Sequence, residues 1–294
     1  MNILLIGHEG YLGRGLAAWF RRGHRVVGWD KQENLFNLTT ELLVREKIDF
    51  VVNGAVYADL KNKNFVLDSL SDELNVKAVR HLVEILRGTD IGLFHFSTRE
   101  VLIAAPYGPD DVVRTPLGYR PKWYVDENTP YAPRHCYGKS KVISELIAEA
   151  HPRANIVRLT SPYTDDYHVN GGWPLLLMKT IVKGGPVTLT NGGEQFRDPL
   201  HTDDLAHLIE LLAERQAYGE RIHAGGGEHN LISLREFVQL ADPAIEIKEA
   251  PGGDLGFAFD NTKAHRLTGW EPQVRFRDKI PVIRENVRRA LAAS

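Results

Sequence analysis

The sequence predicts an α/β protein, a doubly wound parallel sheet followed by a smaller C-terminal unit. Three observations carry this. Short, wholly apolar runs recur through residues 1–160, as in strands buried on both faces of a parallel sheet. Segments with apolar residues at helical spacing separate those runs. The first run, Ile3 to Ile6, meets Gly7 at once and leads into a helical segment. Strand, turn, helix and strand in repetition build a parallel sheet with right-handed crossovers.

After Ile3 to Ile6, a helix carries Leu16, Ala17, Trp19 and Phe20 inward and closes near Gly23. Arg25 to Trp29 is the second strand and ends at Asp30; Leu42 to Glu46 is a short helix. Phe50 to Asn53 is the third strand, followed by Gly54 and Ala55. Asn75 to Leu86 is helical, with Val76, Val79, Leu82, Val83 and Leu86 on one side. Leu93 to Phe96 is a strand that ends in Ser97 and Thr98. Residues 102–133 are rich in Gly, Pro and Asp and form a long excursion, of a kind that is commonly functional. Tyr137 to Ala150 is a helix, and Ile156 to Leu159 a buried strand. Beyond Ser161 the alternation weakens. Leu175 to Val182 and Leu205 to Leu212 read as helices and Val187 to Thr190 as a strand, too little for a second full sheet. The expected division is residues 1–160 with about 198–215 in the first unit, and about 161–197 with 216–294 in a cap beside it.

At 294 residues the chain can bury one large core or two smaller ones. A formal net charge of −2 gives no reason to expect a nucleic-acid partner. The single cysteine, Cys136, has no internal disulfide partner, which fits a reducing cytoplasm, and it reads as a packed thiol. No run approaches the ~18 apolar residues of a membrane span, and the N-terminal run is too short for a signal core. The histidines show no metal-ligand spacing, so no metal is expected. The absence of a Gly-x-Ser-x-Gly elbow argues against an α/β-hydrolase.

The turn Gly7-His8-Glu9-Gly10-Tyr11-Leu12-Gly13 lies between a strand and a helix, and that setting gives its glycines meaning. Gly7 permits the tight turn, Gly10 lets the backbone approach a pyrophosphate, and Gly13 lets helix and strand pack closely. The phosphates then meet a helix N-terminus, where free N–H groups favour anions. Asp30 ends the second strand about 20 residues on, where an acid binds the adenosine ribose hydroxyls. Its carboxylate, with Glu9 nearby, repels a 2′-phosphate, so NAD is expected over NADP. Arg21, Arg22 and Lys31 are read as solvated charges at a helix end, with rescue of NADP as the alternative.

Tyr137 and Lys141 stand four apart, one turn of helix on one face. An ammonium there stabilises a phenolate and can hold a ribose hydroxyl, which makes the tyrosine a usable proton donor and acceptor. The fourth apolar strand delivers Ser97-Thr98-Arg99-Glu100 at its carboxyl end, where ligands of open α/β sheets bind. Thr98 can polarise a sugar oxygen while Tyr137 moves its proton. Glu100 reads equally as an acid or base toward the same crevice and as a structural acid paired with Arg99.

With these pieces in order, the chain resembles the extended short-chain dehydrogenase/reductases of the nucleotide-sugar epimerase/dehydratase kind over nearly its whole length. The matching pieces also include Asn53-Gly54-Ala55, Asn75-Val76, Arg197-Asp198, His201-Thr202-Asp203-Asp204 and Leu267-Thr268-Gly269-Trp270-Glu271-Pro272. The resemblance implies a Rossmann-like NAD-binding domain with a C-terminal substrate-binding domain. It implies Thr98, Tyr137 and Lys141 as catalytic residues, with Glu100 beside them. It places Gly7, Gly10, Tyr11, Leu12, Gly13, Asp30, Asn37, Leu38, Ala55, Asn75, Tyr137 and Lys141 on the cofactor. It sets Arg197 on a substrate diphosphate, with Ser97 and Arg99 on the substrate. It also implies a homodimer paired through the helices at 75–86 and 137–150.

Three features depart from the family pattern. Arg99 stands where sugar 4,6-dehydratases carry an aspartic acid, and a guanidinium releases no proton near neutral pH. Leu102-Ile103 replaces the usual Tyr-Gly, and Pro251-Gly252-Gly253-Asp254 lacks the arginine of Arg-Pro-Gly-Asp. The excursion's Tyr107, Tyr119, Trp123 and Tyr124 are read as loop packing, with stacking on a base or sugar as the alternative. The expected activity is NAD-dependent epimerisation of a nucleotide-linked sugar through a transient 4-keto intermediate. The alternatives are a dehydratase using Glu100, a 4-keto-sugar reductase, and a dinucleotide-sensing protein without turnover.

Overall fold

A computed structural model describes residues 1–62, 66–102, 106–168 and 171–293; Ile103, one of the departures above, lies outside them. The chain runs β1 (Asn2–Ile6), α1 (Tyr11–Phe20), β2 (Arg25–Trp29), α2 (Thr40–Arg45), β3 (Phe50–Asn53), α3 (Ala78–Leu86) and β4 (Gly92–Thr98). A hairpin of β5 (Val112–Thr115) and β6 (Gly118–Pro121) precedes α4 (Cys136–Ala148), β7 (Ala154–Leu159), β8 (Ser161–Tyr163), α5 (Trp173–Val182) and β9 (Val187–Thr190). The remainder is β10 (Phe196–Arg197), β11 (Pro199–His201), α6 (Thr202–Glu214), β12 (Arg221–Ala224), β13 (Ile232–Ser233), α7 (Leu234–Ala241), β14 (Ile247–Ala250), α8 (Thr262–Thr268) and α9 (Phe276–Ala292).

Six strands form one parallel sheet in the order β12-β7-β4-β3-β1-β2. The order of addition reverses between β1 and β3. A crevice therefore opens outside their carboxyl ends, where Gly7 and Gly54 sit. Strand alternation divides the core. Ile3, Leu5, Val52 and Phe94 pack under α1 and α6, while Leu4, Ile6, Val51 and Leu93 pack under α2 and α3. A second cluster joins α5, α7 and α9 through Phe237, Phe276 and Ile283.

The expected division needs one correction. Residues 216–294 were placed wholly in the cap, yet Arg221–Ala224 is the sixth strand of the main sheet, and Ala264 and Trp270 pack in the core beneath it. The helix expected from Asn75 begins earlier, as a π-helical stretch Ser71–Lys77 that continues into α3. Within the excursion, residues 112–121 form the β5–β6 hairpin. Tyr107 is buried, its ring 4.7 Å from Trp123 and 5.2 Å from Phe196, and Tyr119 and Tyr124 pack in the same cluster. Among the described residues no helix is long and apolar enough to cross a membrane, and no group of three His, Cys, Asp or Glu is placed to hold a metal ion.

Candidate active site

The carboxyl end of β4 and the first turn of α4 build the site together. Beyond Thr98 the chain makes a 3-10 turn, Arg99–Val101, whose Glu100 N–H donates to Thr98 Oγ1 at 3.3 Å. Helix α4 begins against this turn. A Cβ on Gly138 would lie 2.3 Å from the Glu100 carbonyl oxygen, so only glycine lets the helix settle there. The contact brings the Tyr137 hydroxyl beside the Thr98 side chain. Burial pushes the Tyr137 hydroxyl well above the usual phenol range; the Thr98 side chain pulls it down and the Glu100 charge raises it.

One turn along α4, Lys141 is 2% exposed, and its Nζ lies 3.1 Å from His95 Nε2. Burial lowers the Lys141 ammonium to about 7, against the opposing charge of Glu145. His95 is fully buried in β4, and burial, then the neighbouring Lys141, holds it well below the ordinary histidine range. Its Nδ1 faces Asn53 Nδ2 at 3.2 Å and its Nε2 faces Ser144 Oγ at 3.0 Å.

Glu100 is held from two sides. His135 Nε2 lies 2.9 Å from Oε2, and Arg99 Nε donates to Oε1 at 3.1 Å. His135 is the N-cap of α4: its Nδ1 accepts from the Gly138 N–H at 3.0 Å, which leaves the ring proton on Nε2, aimed at Glu100. The His135 and Tyr137 rings lie parallel, 6.0 Å apart. Neither His95 nor His135 stood among the expected site residues. For His135 the available signal was a polar side chain just ahead of the helix start.

Arg99 lies against Phe257, its guanidinium carbon 5.3 Å from the ring centre. Arg197 approaches the same region and pairs with Asp254 at 3.0 Å, so the Pro-Gly-Gly-Asp segment supplies a partner for the expected diphosphate arginine. Burial first, and then the Arg99 charge, lowers the Arg197 guanidinium below its ordinary value.

Two expected residues are turned to other work. The Ser97 hydroxyl donates to Glu145 and is buried, because neighbours on a strand point to opposite faces and Thr98 takes the crevice side. Ser97 joins a buried network in which Arg158 pairs with Glu145 at 2.8 Å and Tyr131 donates to the same carboxylate at 2.7 Å. Asn75 is a brace: Oδ1 accepts from the Tyr57 N–H, and Nδ2 donates to the Tyr57 carbonyl and to Ser140 Oγ. Cys136 is buried, its thiol 3.3 Å from Asp68 Oδ2.

The opposite end of the crevice fits a dinucleotide. A Cβ on Gly13 would sit 2.0 Å from the Gly7 carbonyl oxygen, so glycine alone allows α1 to start so close to the turn. The N-cap of α1, Gly10, offers no side-chain bond, and its first turn holds no acid, which leaves that end open to an anion. Asp30 closes the turn by accepting from the Glu9 N–H at 2.8 Å. His8 Nδ1, 3.8 Å from Asp30, is buried without a hydrogen-bond partner among the described residues. Tyr11 begins α1, its hydroxyl 3.4 Å from the Thr164 N–H and raised by burial to about 12. Leu12 packs against the core, and the Ala55 N–H donates to Asn53 at the end of β3. Asn37 is exposed on the loop after β2. The Leu38 side chain is wholly buried, so only its backbone can face a cofactor.

Comparison with known proteins agrees with this geometry. The family model described as "NAD dependent epimerase/dehydratase family" matches residues 3–225. A dTDP-glucose 4,6-dehydratase of Streptomyces niveus is 25% identical, over 95% of this chain and 90% of that protein. UDP-glucuronic acid decarboxylase 5 of Arabidopsis thaliana is 26% identical, over 58% of this chain and 52% of that protein. Among solved structures, the UDP-glucuronic acid 4-epimerase of Bacillus cereus superposes with a TM-score of 0.79 at 19% identity, covering 99% of this chain and all of that one. With three quarters of its length matched and the glycine turn, Thr98, Tyr137 and Lys141 brought to one crevice, the chain belongs to the NAD-dependent epimerase/dehydratase family of enzymes.

Proposed function

We propose that the protein epimerises a nucleotide-linked sugar through a transient 4-keto intermediate. The observation that carries this is the placing of the Thr98 side chain beside the Tyr137 hydroxyl, with Lys141 one turn away on α4. Thr98 holds the oxygen on carbon 4, and Tyr137 takes its proton as the carbon–hydrogen bond gives up a hydride. NAD, when bound, would supply the hydride acceptor and donor there. The turn at Gly7, Gly10 and Gly13, with Asp30, would hold the dinucleotide, and Lys141 its nicotinamide ribose. Return of hydride to the other face of the ketone, with the proton back from Tyr137, inverts carbon 4 and consumes no cofactor. Arg99 supports this reading over elimination, since it puts a guanidinium where a dehydratase needs a proton donor.

A second reading has its own observation. The His135 proton aimed at Glu100 supplies the partner that a general acid or base needs, which favours elimination of water. Product NMR in deuterated water, with NAD and UDP- and dTDP-linked hexoses and hexuronic acids, tests both. Epimerisation gives the inverted sugar with no deuterium on carbon. Deuterium at carbon 5 or 6 would move the assignment to the dehydratase reading, and an unaltered panel would overturn it.

The same reading includes a cytoplasmic homodimer paired through α3 and α4. Exposed Ile143 and Leu146 on α4 support the pairing, and light scattering tests it.

A further inference from the structure

The turn beyond Thr98 carries a charge that oxidation of a neutral sugar does not use. Arg99 is anchored without being satisfied. Its Nε donates to Glu100 at 3.1 Å, its guanidinium lies on the Phe257 ring, and its side chain is only 20% exposed. Its Nη1 is buried and has no hydrogen-bond partner among the described residues. Arg197 stands close by, and the two carboxylates that face the pair are already engaged, Glu100 with His135 and Asp254 with Arg197. A guanidinium offers five N–H donors in a planar fork. This one presents a fixed, partly unused fork on the turn that follows Thr98.

The place of Arg99 limits what it can meet. It follows Thr98 directly, so its Cα lies about 3.8 Å from that of the residue expected to hold the oxygen on carbon 4. The substituents nearest that oxygen on a pyranose are those on carbons 3 and 5. The diphosphate on carbon 1 lies across the ring. A hydroxymethyl on carbon 5 would give Arg99 a weak, single acceptor. A carboxylate there matches the fork in shape and charge.

We propose that the substrate is a nucleotide-linked hexuronic acid and that Arg99 is the specificity residue that takes its carboxylate. This rests on the reading of the site as a nucleotide-sugar site. It goes further by naming the substrate class.

The test is calorimetric titration of the NAD-loaded protein with UDP, UDP-glucose and UDP-glucuronic acid, and with the dTDP equivalents. The expected result is at least tenfold tighter binding of the uronic acid than of the neutral sugar. Arg99→Met keeps the stem and removes the fork. It should bring the two sugars within about twofold and leave the free nucleotide diphosphate unchanged, while Arg99→Lys keeps part of the preference. Thermal melts confirm that each variant is folded. Equal binding of the two sugars by the unaltered protein, or no binding of either, overturns the proposal. So does an equal loss of the nucleotide diphosphate and the uronic acid in Arg99→Met, which would put Arg99 on the diphosphate. If the preference holds but neither sugar is converted, the epimerase reading fails and the carboxylate site stands.

Discussion

Lys141 Nζ lies 3.1 Å from His95 Nε2, in a pocket closed by Asn53 and Ser144. Asn53 Oδ1 accepts from the Ala55 N–H, which turns Nδ2 toward His95 Nδ1 and makes that nitrogen an acceptor. Ser144 Oγ donates to the Lys141 carbonyl at 2.9 Å, so toward His95 it accepts. The ring proton is thereby placed on Nε2, where it faces the Lys141 nitrogen as well. An ammonium is a poor neighbour for that N–H and a neutral amine a good one, in keeping with the lowered Lys141 value.

In the protein without cofactor, Lys141 should therefore titrate near 7, well below the ordinary lysine value of 10.5. NMR of the lysine carbons next to nitrogen measures this directly. The stability consequence has a definite sign. Between about 7 and the ordinary 10.5 the unfolded chain holds a proton that the folded chain lacks, so this group makes stability rise with pH across that window. Urea unfolding of wild type and Lys141→Met should show a difference that grows in favour of wild type over the same range. A difference flat with pH would mean that the buried lysine keeps its ordinary value.

Cofactor choice follows from Asp30, whose carboxylate stands at the glycine turn and holds the Glu9 N–H. NAD should bind at least tenfold more tightly than NADP, a gap of about 1.4 kcal/mol. Asp30→Ala should narrow that gap and weaken NAD, since it removes a charge and a brace of the turn together. Titration of both dinucleotides checks it, and equal affinity in wild type would reject the assignment.

Much of the sheet was legible because its strands are short apolar runs that end at glycine or a small polar residue, as at Ile6-Gly7 and Asn53-Gly54. Arg221–Ala224 was not. Its arginine and histidine hide a four-residue strand, and His223 is tolerated there only because it stacks 3.8 Å from Phe259 and bonds the Val125 carbonyl. The same limit applied to the site. Alternation shows that Ser97 and Thr98 point opposite ways; which one faces the crevice depends on where α4 packs. His95 lies in an apolar run and gains its meaning only from Lys141, 46 residues later.

Removing the Tyr137 hydroxyl should separate chemistry from folding. Tyr137→Phe keeps the ring that lies parallel to His135 and removes the hydroxyl beside Thr98. Turnover should fall by roughly a hundredfold or more, with thermal stability little changed. Near-normal turnover would place the proton relay elsewhere.

The network behind β4 should carry stability. Glu145 and Arg158 are both almost wholly buried, and the carboxylate also serves Ser97 and Tyr131. Glu145→Ala leaves a buried guanidinium without its partner, and such losses cost about 3–5 kcal/mol. Urea unfolding should show that loss. A loss under about 1 kcal/mol would mean that the surroundings relax to satisfy Arg158.

Glu100 separates the two reactions the site supports. Epimerisation needs only Thr98, Tyr137 and Lys141, with the keto sugar turning between hydride departure and return. Elimination needs in addition a group that removes a proton from a neighbouring carbon. Among the residues of the Arg99–Val101 turn, Glu100 is the only carboxylate, and His135 aims a proton at it. Glu100→Gln keeps the size and one of the two accepted hydrogen bonds while removing the charge. An epimerase should keep its activity within about tenfold, whereas an eliminating enzyme should lose on the order of a hundredfold or more. His135→Asn sharpens the comparison, since asparagine can still cap α4 but cannot pass a proton to Glu100. If both variants retain turnover, Glu100 and His135 form a structural pair that fixes the first turn of α4. If both lose it, and deuterium enters carbon 5 or 6 in wild type, the catalytic group is the Glu100–His135 pair and the reaction is elimination.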